Sequence, residues 1–150
     1  MDVMHQMSDA GMSDVSPDIV TYSSVIHCLS FSQDPASAER AEALLLRMEE
    51  AYRNGNDKLK PNAHSFTSVI TVHTSKRTPE GAERAEAILN RMEQTQWVSP
   101  NNVTYSAVID GWAKSGAKDA WKRAYSLLEY MKNQPNPNLK PTAFAYSSVL

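Results

Sequence analysis

Apolar residues recur along this chain at the spacing of an α-helix. In the first clear stretch they fall at i, i+3, i+4 and i+7, at Tyr22, Val25, Ile26 and Leu29. This stretch opens with an aromatic residue, Ser or Thr, any residue, Val and an aliphatic residue, an order that occurs four times. The copies begin at Tyr22, Phe66, Tyr105 and Tyr146, and they are 44, 39 and 41 residues apart. Periods of about 20–50 residues indicate stacked supersecondary units, and the apolar spacing predicts a helix at the start of each unit.

A second helical pattern follows each of the first three copies. It is rich in Ala, Glu, Arg and Leu, which are good helix formers, and it covers residues 38–49, 82–93 and 121–132. In the first unit its apolar face comprises Ala38, Ala41, Leu44, Leu45 and Met48. Helix breakers, among them Pro35, Pro79 and Gly116, separate the two patterns and predict a turn there. Each unit is therefore predicted to be a helix–turn–helix, with its acidic residues on solvated outer faces.

A Pro followed by Asn or Thr closes each unit, at Pro61, Pro100 and Pro141. The predicted repeats are 19–62, 63–101 and 102–142, with the back half of an earlier repeat at 1–18 and the start of a truncated one at 143–150. The predicted fold is all-α, a right-handed solenoid of helix–turn–helix repeats, also called an α-α superhelix. Because solenoids normally cover their end faces with capping repeats, we expect this chain to be a fragment of a longer protein.

Composition and charge exclude several classes of function. The hydrophobic fraction of 41% and the charged fraction of 21% are those of a globular protein. No apolar run approaches the length of a membrane span. The formal net charge of −2 means that bulk attraction to phosphate is not the main source of any nucleic-acid binding. The segment Met1–Ser16 contains Asp but no Arg or Lys, so it has no targeting signal of the secretory or transit type.

Catalytic and metal-binding patterns are missing from the sequence. The single cysteine, Cys28, allows no internal disulfide framework. The histidines have no metal-ligand spacing, and they are His5, His27, His64 and His73. There is no Gly-rich phosphate loop and no recognisable pair of nucleophile and base. We therefore expect no enzyme activity, no cofactor, no metal, no membrane association and no small-molecule substrate.

The repeated residues resemble those of the pentatricopeptide repeat family. The resemblance rests on Val-Thr-Tyr-Ser-x-Val-Ile at the first helix, on an Ala-rich second helix that ends in Met, and on Lys-Pro-Asn before the next repeat. It covers essentially the whole chain. The tetratricopeptide repeat also has two helices, but its Trp-x2-Leu-Gly-x2-Tyr spacing is absent here. The resemblance implies a groove, lined by the first helices, that holds single-stranded RNA with one base per repeat. It also implies a role in processing, stability or translation of organelle transcripts, in the mitochondrion or plastid.

The resemblance assigns two base-reading side chains to each repeat. One follows the aromatic residue of the first helix, and the other follows the Pro at the end of the repeat. The implied pairs are Ser23 with Asn62, Thr67 with Asn101, and Ser106 with Thr142. By the family's preferences the first two pairs resemble adenine readers, whereas the Ser/Thr pair leaves its base open. The positions that sandwich the bases are Val20, His64, Val103 and Phe144. Lys114 is the candidate phosphate contact.

Two alternatives remain open from the residues alone. Asn62, Asn101 and Thr142 stand just before predicted helices, where Asn, Asp and Thr serve as N-caps. The chain as a whole also fits a protein–protein interaction scaffold, which is a common use of helical-hairpin solenoids. Other proteins therefore stand beside single-stranded RNA as expected partners. The tryptophans do not recur between repeats, and we expect Trp97, Trp112 and Trp121 to be packing residues.

Overall fold

The computed structural model describes residues 18–149, which form seven α-helices and no β-strand. The helices are α1 (Ile19–Leu29), α2 (Ser37–Arg53), α3 (Ala63–Thr74), α4 (Pro79–Gln94), α5 (Asn102–Ala113), α6 (Ala120–Lys132) and α7 (Ala143–Val149). Short 3-10 helices, Asp57–Leu59 and Pro137–Leu139, lie in the loops after α2 and α6. The predicted all-α repeat fold is confirmed. The predicted earlier half repeat lies outside the described residues apart from Asp18.

The helices form two layers. The first helices of the repeats, α1, α3, α5 and α7, stack on one another in chain order. The second helices, α2, α4 and α6, form the other layer, and each packs on the first helix before it and the first helix after it. The core lies between the layers, and its largest side chains include Phe66, Tyr105, Leu45 and Met92. Burying one such side chain contributes about 1.5–3 kcal/mol, so stacking is the main source of stability.

The predicted apolar faces are largely those that the structure buries. Tyr22 and Ile26 of α1 are buried, and so are Ala41, Leu45 and Met48 of α2. The prediction is wrong for Val25, which is exposed. Its counterparts in the next two repeats, Val69 and Val108, are fully buried.

The prediction that the acidic residues are simply solvated is wrong for three glutamates of the second helices, Glu42, Glu49 and Glu86. Glu42 and Glu49 of α2 pair with Arg84 and Arg91 of α4. The next second helix repeats the first of these pairs, because Arg123 of α6 pairs with Glu86 of α4. Side chains of consecutive second helices therefore meet through ion pairs. Long charged side chains can span this gap while keeping their stems packed on the apolar surface.

The tryptophans occupy three different environments. Trp112 is buried at the end of α5, and its Nε1 donates a hydrogen bond to Glu86 Oε2 at 2.8 Å. Trp97 is half-buried, with its ring 5.1 Å from that of Tyr52. Trp121 is 62% exposed, so the expectation that it packs in the core is wrong. It lies in the first turn of α6, on a side that no described helix covers. No helix of the described part is both long enough and apolar enough to cross a membrane.

Candidate nucleic-acid interface

The residue after each repeat-closing Pro caps the helix that follows. Asn62 Oδ1 accepts a hydrogen bond from the backbone N of Ser65 at 2.9 Å, and Asn101 Oδ1 accepts one from the backbone N of Thr104 at 3.0 Å. Thr142 Oγ1 accepts from its own helix N-terminus at 3.3 Å. The capping interpretation is therefore correct for these three residues. Capping engages only the side-chain oxygen, so the amide nitrogens of the two asparagines are still available for another role.

Asp18 caps α1 in the same way, through the backbone N of Thr21 at 3.0 Å. This hydrogen bond stabilises the carboxylate form and lowers the pKa of Asp18 below its ordinary value. All four described first helices thus begin at a polar side chain that satisfies one of the free N–H groups of the first turn. The equal geometry sets the same starting orientation for each first helix, and it places the same sequence positions on the same face.

The three hydroxyls that follow the aromatic residues are not ordinary exposed side chains. Ser23 and Ser106 are buried, and Thr67 is half-buried. Ser106 is only 4% exposed, and its Oγ has no hydrogen-bond partner within residues 18–149. A buried hydroxyl without a partner is unfavourable by about 1–3 kcal/mol. Buried hydroxyls are normally hydrogen-bonded to protein atoms, to water or to a ligand.

The predicted base-sandwiching positions are all exposed. Val20, Val103 and Phe144 are among the largest exposed apolar side chains, and His64 is exposed as well. Val20, His64 and Val103 each stand three residues before a reader hydroxyl, which places the two side chains on neighbouring positions of one helix face. A row of exposed apolar and aromatic side chains along stacked helices suits stacking of nucleobases.

A pocket of about 370 Å³ lies between α3, α5 and α7. Its lining comprises Thr67, Thr71, Thr74, Val103, Ser106, Ala107, Asp110, Thr142 and Phe144. The pocket thus brings together both members of the third predicted pair, Ser106 and Thr142. It also contains Thr67 of the second pair, with the sandwiching residues Val103 and Phe144. The residues predicted for the first base, among them Ser23 and Asn62, lie outside this pocket.

Asp110 places a carboxylate in the lining, and two side chains already contact it. Lys114 Nζ lies 2.9 Å from Asp110 Oδ2. Ser148 Oγ of α7 donates a hydrogen bond to Asp110 Oδ1 at 3.1 Å. The charge of Lys114 is therefore largely neutralised inside the protein, which weakens its attraction for phosphate. Its role as a phosphate contact stays a prediction.

One contributor was missed by the sequence analysis. Thr104 is fully buried in the first turn of α5 and contacts both members of the second pair. Its Oγ1 lies 2.9 Å from Thr67 Oγ1 and 3.1 Å from Asn101 Oδ1. The signal in the sequence was the Asn-x-x-Thr spacing, which resembles a capping box. That spacing indicates the contact with Asn101, whereas the contact with Thr67 depends on stacking of two repeats.

Within the described residues, no group of three or more His, Cys, Asp or Glu side chains could hold a metal ion. Stacked helical hairpins with a polar and apolar groove along the first helices define a helical repeat solenoid. Residues 49–115 match the family described as the pentatricopeptide repeat domain. This match confirms the resemblance for residues 49–115. A search among curated proteins finds no match.

Proposed function

We propose that this protein binds single-stranded RNA in the groove along its first helices and reads one base per repeat. Proteins with this repeat are helical repeat proteins that typically bind RNA. The observation that carries the proposal is the pocket between α3, α5 and α7, where reader hydroxyls lie beside exposed apolar side chains. Hydrogen bonds from such hydroxyls select a base edge, and apolar side chains hold the base by stacking.

The proposed reading follows the repeats, with the RNA running 5′ to 3′ along the chain. Ser23 with Asn62 and Thr67 with Asn101 select adenine. Ser106 with Thr142 takes the third base, whose identity stays open. Binding is the whole of the proposed chemistry, since pentatricopeptide repeat proteins are generally non-catalytic. The proposed setting is processing, stability or translation of RNA in the mitochondrion or plastid.

A protein–protein scaffold is the second candidate, and one observation favours it. Asp110 Oδ2 lies 2.9 Å from Lys114 Nζ, so it offsets the charge of the candidate phosphate contact. A groove with so little positive charge attracts the phosphates of RNA weakly. Binding to a protein surface does not depend on that attraction. The net charge of −2 acts in the same direction.

Binding of fluorescein-labelled RNA, followed by anisotropy, distinguishes the two functions. A-rich and U-rich single strands are titrated with the protein at about 50 mM and about 200 mM salt, a range over which non-specific phosphate binding falls steeply. Preference for the A-rich strand that persists at the higher salt supports base reading. Absence of binding, or binding that is blind to sequence and lost with salt, contradicts the proposal and favours the scaffold.

A further inference from the structure

Thr104 connects the two side chains that the proposed function pairs at the second base. Its Oγ1 accepts from the backbone N of Asn101 at 3.3 Å and lies 3.1 Å from Asn101 Oδ1. On its other side, the same oxygen lies 2.9 Å from Thr67 Oγ1 of the preceding repeat. The side chain is fully buried, so water does not compete for these contacts.

The positions of the protons in this chain of contacts follow from the donor inventory. Asn101 Oδ1 accepts the backbone N–H of Thr104 at 3.0 Å, so the amide must present its oxygen on this side. Two oxygens 3.1 Å apart need a proton between them, and an amide oxygen has none to give. The hydroxyl of Thr104 therefore donates to Asn101. Because a hydroxyl has one proton, Thr104 receives the proton of Thr67.

This arrangement fixes which atoms of the second pair donate hydrogen bonds and which accept them. The hydroxyl of Thr67 has donated its proton, so it presents only lone pairs to the groove. The oxygen of Asn101 is occupied twice, so its amide offers only the Nδ2 hydrogens. A base that fits this pair needs an amino group facing Thr67 and an acceptor nitrogen facing Asn101. Adenine has both on one edge, whereas inosine and guanine place a carbonyl oxygen where adenine has its amino group.

We propose that Thr104 is a positioning residue that makes Thr67 an acceptor, so that the second pair selects a 6-amino purine over a 6-oxo purine. The proposal rests on the proposed RNA-binding function and goes beyond the paired residues themselves. It assigns part of the base selectivity to a buried hydroxyl in the repeat that follows the reader.

The next repeat supplies a natural comparison. Ala145 stands in α7 where Thr104 stands in α5, and it has no hydroxyl. Ser106, the counterpart of Thr67, has a buried Oγ without a partner among the described residues. Nothing directs its proton, so it can donate to a carbonyl or accept from an amino group. The third base is therefore expected to be selected less strictly between amino and oxo purines than the second base.

The test uses the whole chain and one short RNA, U-U-A-X-A-U-U, in which the outer adenines set the register. X is adenosine or inosine, and a second series places the same substitution at the third base. The variants are Thr104→Val, which keeps the volume, and Thr104→Ala, which repeats the residue found at position 145. Both keep the backbone N–H that Asn101 caps. Thr104→Ser keeps the hydroxyl, and Ser75→Ala removes an exposed hydroxyl just after α3 that does not line the pocket.

The wild-type protein is expected to prefer adenosine over inosine at the second base by about 10-fold, and less at the third, in line with a good bidentate contact. Thr104→Val and Thr104→Ala should lower the ratio at the second base to below about 3-fold, with thermal unfolding still cooperative. Thr104→Ser and Ser75→Ala should keep the wild-type ratio. If the wild-type protein prefers adenosine and the Thr104→Val and Thr104→Ala variants keep the same ratio, the role of Thr104 is refuted while the proposed function stands. A wild-type protein without base preference overturns the proposed function, and the inference with it.

Discussion

Glu49 and Arg91 form an ion pair across the boundary between two repeats, although 42 positions separate them in the chain. Glu49 is 2% exposed, and its other partner is Arg53 on the same helix, at 3.4 Å. The guanidinium of Arg91 also lies over the ring of Phe66, 5.7 Å from its centroid. A buried carboxylate that loses its partner is strongly destabilising. The pair therefore ties the second helix of one repeat to that of the preceding repeat.

Replacing Arg91 by Leu should destabilise the stack. Losing one partner of a buried pair costs about 3–5 kcal/mol, and Arg53 offsets part of it, so the free energy of unfolding should fall by about 2–3 kcal/mol. Urea unfolding followed by circular dichroism measures the change. Arg53→Leu is the matched control, because Arg53 is exposed and should contribute less than about 1 kcal/mol. If the free energy of unfolding falls equally in the two variants, the Glu49–Arg91 pair contributes no more stability than the exposed Glu49–Arg53 pair.

Gly111 lies at the closest approach of α5 to α3. A Cβ at this position would stand 2.3 Å from Thr74 Cγ2 and 2.9 Å from Thr74 Cβ. Gly111→Ala should therefore destabilise the protein by about 1–3 kcal/mol through overpacking, despite the gain of about 1 kcal/mol in helix propensity. The midpoint of thermal unfolding reports the change. Thr74→Ser removes the nearer methyl group, so it should recover part of the loss in the double variant. A more stable Gly111→Ala protein contradicts the close approach.

Burial of His73 predicts a dependence of stability on pH. Burial lowers the pKa of His73, and the nearby Glu42 carboxylate opposes this only partly. Arg84 and Lys76 also lower this pKa, whereas Glu39 raises it. The unfolded chain, with a histidine pKa of about 6.5, therefore binds the proton more readily than the folded protein. The stability that neutral, buried His73 provides is therefore fully present above about pH 6.5. It is lost as the pH falls toward the lower pKa that His73 has in the folded protein.

Urea unfolding at several pH values between about 7.5 and 5 tests this assignment. We expect the free energy of unfolding of the wild-type protein to fall toward pH 5, and that of His73→Gln to fall less. His27→Gln is the control, because His27 is exposed. If the wild-type and His73→Gln curves run parallel, the pH dependence comes from other groups.

Changing Asn101 to Asp should alter which base the second pair prefers. A carboxylate only accepts hydrogen bonds, so it repels the acceptor nitrogen of adenine and suits the N1–H and N2–H donors of guanine. Because Thr67 would still present an acceptor to the guanine carbonyl, the shift from adenine toward guanine should be partial. Asp is as good an N-cap as Asn, so stability should change little. Competition anisotropy with adenine or guanine at the second base measures the preference, and Asn62→Asp should act likewise at the first base. Asn102→Asp is the control, because it adds the same charge one residue away and should not change the preferred base. An unchanged preference in Asn101→Asp contradicts the pairing.

Phe144→Ala should weaken RNA binding without weakening the fold. The side chain is 53% exposed, so its removal leaves little cavity in the core. Stacking on an aromatic side chain contributes about 1–3 kcal/mol per base, so the affinity should fall by about 5-fold or more. Tyr125→Ala serves as the control, because Tyr125 is exposed on α6 and does not line the pocket. The same loss of affinity in both variants would argue against a base at Phe144.

The local features of this protein follow from its amino-acid sequence alone. Apolar spacing predicted both helices of each repeat, and the residues after Pro61 and Pro100 are the caps that their types suggest. These features follow from the sequence because helix periodicity and capping involve residues only three or four positions apart. The burial of the core residues Ile26 and Leu45 is predicted correctly for the same reason, because the apolar face of a helix is defined by residues three or four positions apart.

The contacts between repeats, in contrast, depend on how the repeats pack against one another. Glu49 follows the polar periodicity of α2, yet it is buried because Arg91 reaches it from the next repeat. Thr67 gains its partner Thr104 from 37 positions away, and Ser106 remains without one. A sequence pattern states which face a side chain occupies, but not how far a neighbouring helix lies from it. That distance is set by the packing of whole helices, and it fixes which polar groups meet and which face the groove.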